Sequence, residues 1–321
     1  NGTLNPGATL RNLAIVSLDL LDFPFTANDP EPPFAGFDPR FTPARVDLEL
    51  GFKELKSPLL LSGARPTVFE QNPRRYRFPL RDWPGPELYS LKVSQSHHFG
   101  QNHVGNPSQR YALDLIMVNL GQAKPGSLLP NVDVPALVQK YTNHPNFDPD
   151  ASYQAWHFNE AHIIHGRPVH AVAEGQVVFA VNDNEENWPV GTRDPNSGGG
   201  GNSVVINHGN RELSFYAHMI KGSVTVKLGD FVKQGQLLGR VGNSGSSSGP
   251  HLHFHLMRTF TATNAAHGLA VPSYFVDLRF PSEPGGLFRR QWRAELPNAQ
   301  VFSVLDNPDI DTGPGPEHGP G

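Results

Sequence analysis

The 321-residue chain contains no cysteine, which excludes a disulfide framework and a thiolate metal site; any bound metal must be held by histidine and carboxylate. Long hydrophobic runs are missing as well, and no stretch approaches the roughly 20 apolar residues of a membrane-spanning helix. Charge of one sign is also lacking. Lys plus Arg number 26 against 30 for Asp plus Glu, a balance without the large cationic field that nucleic-acid backbones require, so no nucleic-acid partner is expected. The chain opens at Asn1 without a charged-then-apolar leader, a start compatible with a removed export signal.

What the sequence has in quantity is turn chemistry. Glycine and proline number 32 and 31 while charged residues make up only 17%, a composition that favours short strands joined by turns over long helices. The length fits two domains, or one large domain with an appendage.

Residues 1 to 90 carry apolar alternations such as "ARVDLELGF", where Val46, Leu48, Leu50 and Phe52 share one strand face, separated by proline-rich connections. They are expected to form a small β-sandwich-like module of unknown role. From 91 to 290 the chain reads as a second, mainly β domain, entered through "LKVSQSHHFGQNHVGNPSQRYALDLIMV" and interrupted by an insertion at about 121–165. Within the insertion an Asp-capped short helix is predicted near Pro135. Strand patterns then follow closely, from "VHAVAEGQVVFAV" to "SGPHLHFHL". The glycine run Gly198 to Gly201 lacks the Lys-Ser/Thr of a phosphate loop and reads as flexible connection. Residues 291–321 form a C-terminal extension whose low-complexity end, "DNPDIDTGPGPEHGPG", is expected to be disordered.

The chemistry concentrates in "GNSGSSSGPHLHFHL". On a strand, His251, His253 and His255 share one face and Leu252, Phe254 and Leu256 the other. A row of imidazoles is an unusual wet face and points to a function beyond packing. The pattern "HFNEAHIIH" offers a second histidine group, but His157 and His162 are five apart and fall off a common helical face, so that pair is discounted; His162 and His165, three apart, could share a face, yet without a placed acid they read as surface histidines of the insertion.

"SGSSSGPHLHF", together with "FYAH" and "VKLGDFVKQGQLLGRVGNSG", resembles the LytM/lysostaphin-type zinc metallopeptidases, which cut the peptide cross-links of bacterial peptidoglycan; the resemblance covers about residues 95 to 280. It implies an antiparallel β catalytic domain of duplicated hybrid-motif (barrel-sandwich) type, one Zn²⁺ per chain, a peptidoglycan substrate and a location outside the cytoplasm, periplasmic or secreted. Carried over by position, it implies that His253 and Asp114 are zinc ligands and that His251 and His218 are catalytic histidines beside the metal. The third ligand is expected at His103, which fits a layout with the histidine upstream of "QRYALD"; His98 and His97 are the alternatives. Asn202 in "GNSVVINH" and His255, where many relatives have Glu or Gln, are expected to line the substrate groove. Three competing readings share parts of the pattern. A biotinyl or lipoyl carrier would need a lysine at a tight turn, whereas Lys227 and Lys233 flank the Gly-Asp turn. A sugar phosphotransfer domain uses facing histidines without a metal and leaves Asp114 unexplained. The third is a non-catalytic family member that binds cell wall or an amidase partner.

Overall fold

Period-two alternation of apolar residues sets the layering of this protein. The structure, a computed structural model, describes residues 46–50, 59–64, 76–81, 89–95, 103, 108–109, 111–121, 126–193, 199–259, 268–281, 288–291 and 301–304. Most of the expected N-terminal module, His97, His98, Gly198 and the tail 305–321 lie outside the described residues. The chain divides into two compact units, Asn1–Phe69 and Glu70–Gly321. In the first, β1 (Val46–Leu50) and β2 (Leu59–Ala64) form an antiparallel pair.

The second unit is mainly antiparallel β-sheet, as the composition implied. Its strands are β3 (Tyr89–Gln95), β4 (Leu113–Asn119), β5 (Pro168–His170), β6 (Gly175–Val181), β7 (Asn202–Asn207), β8 (Glu212–Met219), β9 (Phe231–Val232), β10 (Leu237–Arg240), β11 (Leu252–Arg258), β12 (Leu269–Val271), β13 (Leu278–Pro281), β14 (Phe288–Gln291) and β15 (Val301–Val304). One sheet runs in the order β14-β13-β15-β3-β4-β11-β8-β7-β6-β9, with β12 also on β11, and β5 pairs β10 in a small separate sheet. β11 lies between β4 and β8, so two neighbouring strands flank its histidines. Within the C-terminal extension, β15 pairs with β3.

Alternation decides which face of β11 is dry. Leu252, Phe254 and Leu256 are buried with Leu113, Leu115 and Met117 of β4 and Tyr216 of β8, an apolar layer completed by Val169 and Leu238 from the small sheet. Burying a Leu or Phe side chain contributes roughly 1.5–3 kcal/mol, so this layer holds the opposite, polar face of β4 and β11 in fixed register. Tyr76, Phe78 and Leu80, which fall inside the 1–90 range, are buried in this same core.

The insertion contains the predicted helix, α1 (Val134–Tyr141), with Asp133 as N-cap accepting a hydrogen bond from the Ala136 N–H at 3.1 Å. Val134, Leu137, Val138 and Tyr141 turn inward onto Phe158, Ala161 and the buried Trp188, and the Tyr141 and Trp188 rings stack with centroids 4.5 Å apart. Helix is otherwise sparse. No helix among the described residues is long and apolar enough to cross a membrane.

Asp277 joins two parts of the core: its carboxylate accepts from the Phe78 N–H at 2.8 Å and lies 3.4 Å from the Arg81 guanidinium. Burial raises its pKa to about 6, only partly offset by the Phe78 hydrogen bond and the Arg81 charge. The folded state therefore holds this proton more tightly than the unfolded state. Its contribution is fully present below about pH 4 and is lost as pH rises through about 6, a change on the order of 2–3 kcal/mol. Urea unfolding of metal-free protein at pH 4 and pH 7 is expected to show that Asp277→Asn, which keeps an acceptor for Phe78, removes a loss of this size. Equal pH dependence of the two proteins would contradict it.

Candidate metal centre

Strand pairing brings the chemistry together. Asp114 of β4 and Ala217 of β8 lie opposite His253 on its two sides, so Asp114 and His253 share the polar face above the core. The His253 Nδ1 and Asp114 Oδ1 atoms are 2.9 Å apart, and the His103 Nε2 and Asp114 Oδ2 atoms 3.4 Å. One donor atom from each of His103, Asp114 and His253 lies within 4.8 Å of the others, all three residues are buried, and they are the only such group found among the described residues.

This donor set fits zinc. Two imidazoles and a carboxylate are ordinary zinc ligands, and bonds of about 2.0–2.1 Å in a tetrahedron put ligand atoms roughly 3.3 Å apart, near the two separations measured from Asp114. Asp114 stays ionised: burial raises its pKa, but the charges and hydrogen bonds of His251 and His253 outweigh this and hold it well below the usual carboxylate range. Burial lowers the pKa of His103, against the Asp114 charge, which favours the neutral imidazole that a metal needs.

His218 reaches this face through a local exception. Simple alternation would send it into the core with Tyr216, but the β7–β8 register shifts between Asn202 and Val204, and His218 has φ +65°. A left-handed non-glycine residue at a bulge is strained, and here the bulge turns a side chain toward the site. The His218 and His251 ring centroids are 4.7 Å apart. In each ring Nδ1 is tied to a backbone carbonyl, His218 to Ser244 at 2.7 Å and His251 to Gly249 at 2.8 Å. That fixes the proton on Nδ1 and leaves Nε2 as the nitrogen not held by the backbone; in His251 that nitrogen faces the carboxylate, 3.5 Å from Asp114 Oδ1. The two rings are driven apart electrostatically. Burial lowers the His218 pKa well below the ordinary value, helped by the neighbouring His251 and His253 rings, whereas for His251 burial is overcome by Asp114 and the pKa rises.

The loop 242–250 that presents His251 is held by amides. The Asn187 side-chain nitrogen lies 2.8, 2.8 and 2.9 Å from the carbonyls of Asn243, Gly245 and Ser247, while the Ser247 hydroxyl donates to Asn243 Oδ1 at 2.6 Å. Gly199 to Gly201 differ from the flexible connection expected of them. A Cβ on Gly201, at φ +57°, would stand 2.5 Å from the Ser244 backbone, and the Gly199 and Gly200 carbonyls accept from Ser246 and His218.

A cavity of about 400 Å³ opens over the site, lined by His103, Asp114, His218, His251 and His253. Gln109, Arg193, Phe215 and Ser246 to Ser248 also line it, and sequence reasoning singled out none of them. Asn202 and His255, expected in the groove, are instead buried beneath the surface at 0% and 2% exposure. The Asn202 side chain accepts from the Asn184 N–H and donates to the Asn184 and Met219 carbonyls, so it braces the β8 end next to His218. His157 stacks on Trp156, and His165 meets Glu186 at 3.1 Å.

His255 Nδ1 is 3.0 Å from His253 Nε2. Burial, with the His253 and His103 rings beside it, holds its pKa well below the ordinary value, which favours the neutral imidazole. A His253 that ligates through Nδ1 donates its Nε2 proton to His255, an outer contact that fixes ring orientation. His255→Leu is expected to weaken zinc binding by about 10- to 100-fold, and His255→Gln, which restores an acceptor, to recover most of it. Chelator competition measures both; unchanged affinity in His255→Leu would contradict the role.

Residues 160–265 match peptidase family M23. The chain is similar to the glycyl-glycine endopeptidase ALE-1 of Staphylococcus capitis, 35% identical over 101 residues, which cover 32% of this chain and 24% of that protein. It is similar to the peptidoglycan DD-endopeptidase ShyA of Vibrio cholerae, 38% identical over 100 residues, 31% of this chain and 20% of that one. A third relative is lysostaphin of Staphylococcus simulans, 37% identical over 92 residues, 29% and 16% of the two chains. The chain thus spans less than a quarter of the length of each. The matched segment holds His218, His251 and His253, and the strand pairing of β4 with β11 adds Asp114 from outside it. Residues 160–265 are a peptidase family M23 domain, similar to parts of ALE-1, ShyA and lysostaphin.

Proposed function

We propose that the protein is a zinc-dependent endopeptidase that hydrolyses peptide cross-links of bacterial peptidoglycan and acts outside the cytoplasmic membrane, in the periplasm or as a secreted protein. The observation that carries this reading is the convergence of His103, Asp114 and His253 donors within 4.8 Å, with two further imidazoles beside them. When bound, zinc polarises a carbonyl and lowers the pKa of water toward about 7.

The chain's own groups supply the rest. His218 and His251 are oriented by backbone carbonyls, which leaves each Nε2, that of His251 beside Asp114, for a reacting amide. A neutral Nε2 accepts the proton that attacking water loses, and the same nitrogen, once protonated, donates to the departing amine or to the developing oxyanion. The serines and Gln109 lining the cavity offer hydrogen bonds to an extended peptide backbone.

Digestion of purified cross-linked peptidoglycan, with products weighed by mass spectrometry, tests the reading. Zinc-loaded protein is expected to convert dimeric muropeptides to monomers with gain of one water per cut, and chelation to stop it. Binding without cleavage by zinc-loaded protein would favour a non-catalytic cell-wall factor instead.

A further inference from the structure

The relatives named above include one glycyl-glycine and one DD-endopeptidase, so similarity does not divide neutral bridges from stem-peptide bonds. The cavity does. Among its lining residues Arg193 is the one permanently charged cation, and the one carboxylate, Asp114, is already engaged with His103, His251 and His253. Arg193 is exposed and makes no hydrogen bond or ion pair among the described residues. A free arginine on an open surface is ordinary; this one shares a cavity with Asp114, His218, His251 and His253. Outside the histidine and Asp114 cluster, the other polar side chains of the lining, Gln109 and Ser246 to Ser248, are neutral hydrogen-bonding partners.

A guanidinium fork matches a carboxylate with two parallel hydrogen bonds. We propose that Arg193 binds a substrate carboxylate beside the scissile bond, so that the protein selects cross-links between acidic stem peptides, whose D-amino acids and diamino acids carry free carboxylates, over neutral glycyl bridges. The assignment rests on the peptidase reading for its substrate, and its test separates the two.

Three probes are compared: a cross-linked stem-peptide dimer with free carboxylates, the same dimer amidated, and a pentaglycine-bridged dimer. Zinc-loaded wild-type protein is expected to favour the free-carboxylate dimer over the amidated one by about 10- to 100-fold in kcat/KM, the range of a charge-assisted hydrogen bond. Arg193→Gln is expected to bring that ratio near one, mostly through KM, with zinc stoichiometry reporting an intact site. Arg193→Glu should invert it. Calorimetric binding of the free and amidated peptides to metal-free protein is measured in parallel. Cleavage without carboxylate preference, or equal preference in wild type and Arg193→Gln, would overturn the assignment while leaving the peptidase reading in place. Failure to cleave any probe, with a binding preference that Arg193→Gln abolishes, would sink the peptidase reading and support the carboxylate site.

Discussion

Asp114→Asn is expected to cost on the order of 10³-fold or more in zinc affinity and to abolish hydrolysis, because outer contacts alone already account for about 10- to 100-fold and this residue is a direct donor. The side chain is nearly isosteric, so β4 should keep its place between β3 and β11. What changes is charge. The carboxylate faces three imidazoles, with His253, His103 and His251 nitrogens at 2.9, 3.4 and 3.5 Å, and an amide offers them one neutral oxygen and an N–H that competes as a donor. Zinc content after dialysis against a chelator of known affinity, with circular dichroism as a check on folding, measures the effect. A folded Asp114→Asn protein that retains one zinc at wild-type affinity would contradict the ligand assignment.

His251→Ala should separate proton handling from metal binding. Its Nδ1 is committed to the Gly249 carbonyl and its Nε2 lies beside the carboxylate, so its removal is expected to lower kcat by about 10²- to 10⁴-fold while zinc stoichiometry stays at one. His218→Ala is expected to fall in the same range, and the double variant to lose less than the product of the single effects, since the rings sit 4.7 Å apart and serve one reaction. Loss of zinc in His251→Ala would make it a ligand. Full activity would remove it from the mechanism.

The parts of this arrangement readable from sequence are those governed by local periodicity. Alternation in "HLHFHL" separates Leu252, Phe254 and Leu256, all core residues, from the histidines, and the Asp133-Pro135 signal marks α1. What is set by contacts distant in sequence was hidden. A bulge at the end of β8 decides the face of His218, and no residue type at that position announces it. Asn202 and His255 are expected in the groove from the family resemblance, and in the structure they contact the Asn184 and Met219 carbonyls and the Nε2 of His253. The glycine run looks loose until the Ser244 backbone leaves Gly201 no room for a Cβ. Arg193 carries no local signal at all, since only the cavity shows which loop arginine shares its lining with the histidines.

The most direct measurement is anomalous scattering at the zinc absorption edge from crystals of zinc-loaded protein. The account predicts one peak per chain, about 2.0–2.2 Å from a nitrogen of His103, an oxygen of Asp114 and Nδ1 of His253. A peak held by other residues, or its absence from this cluster in zinc-loaded crystals, would contradict it.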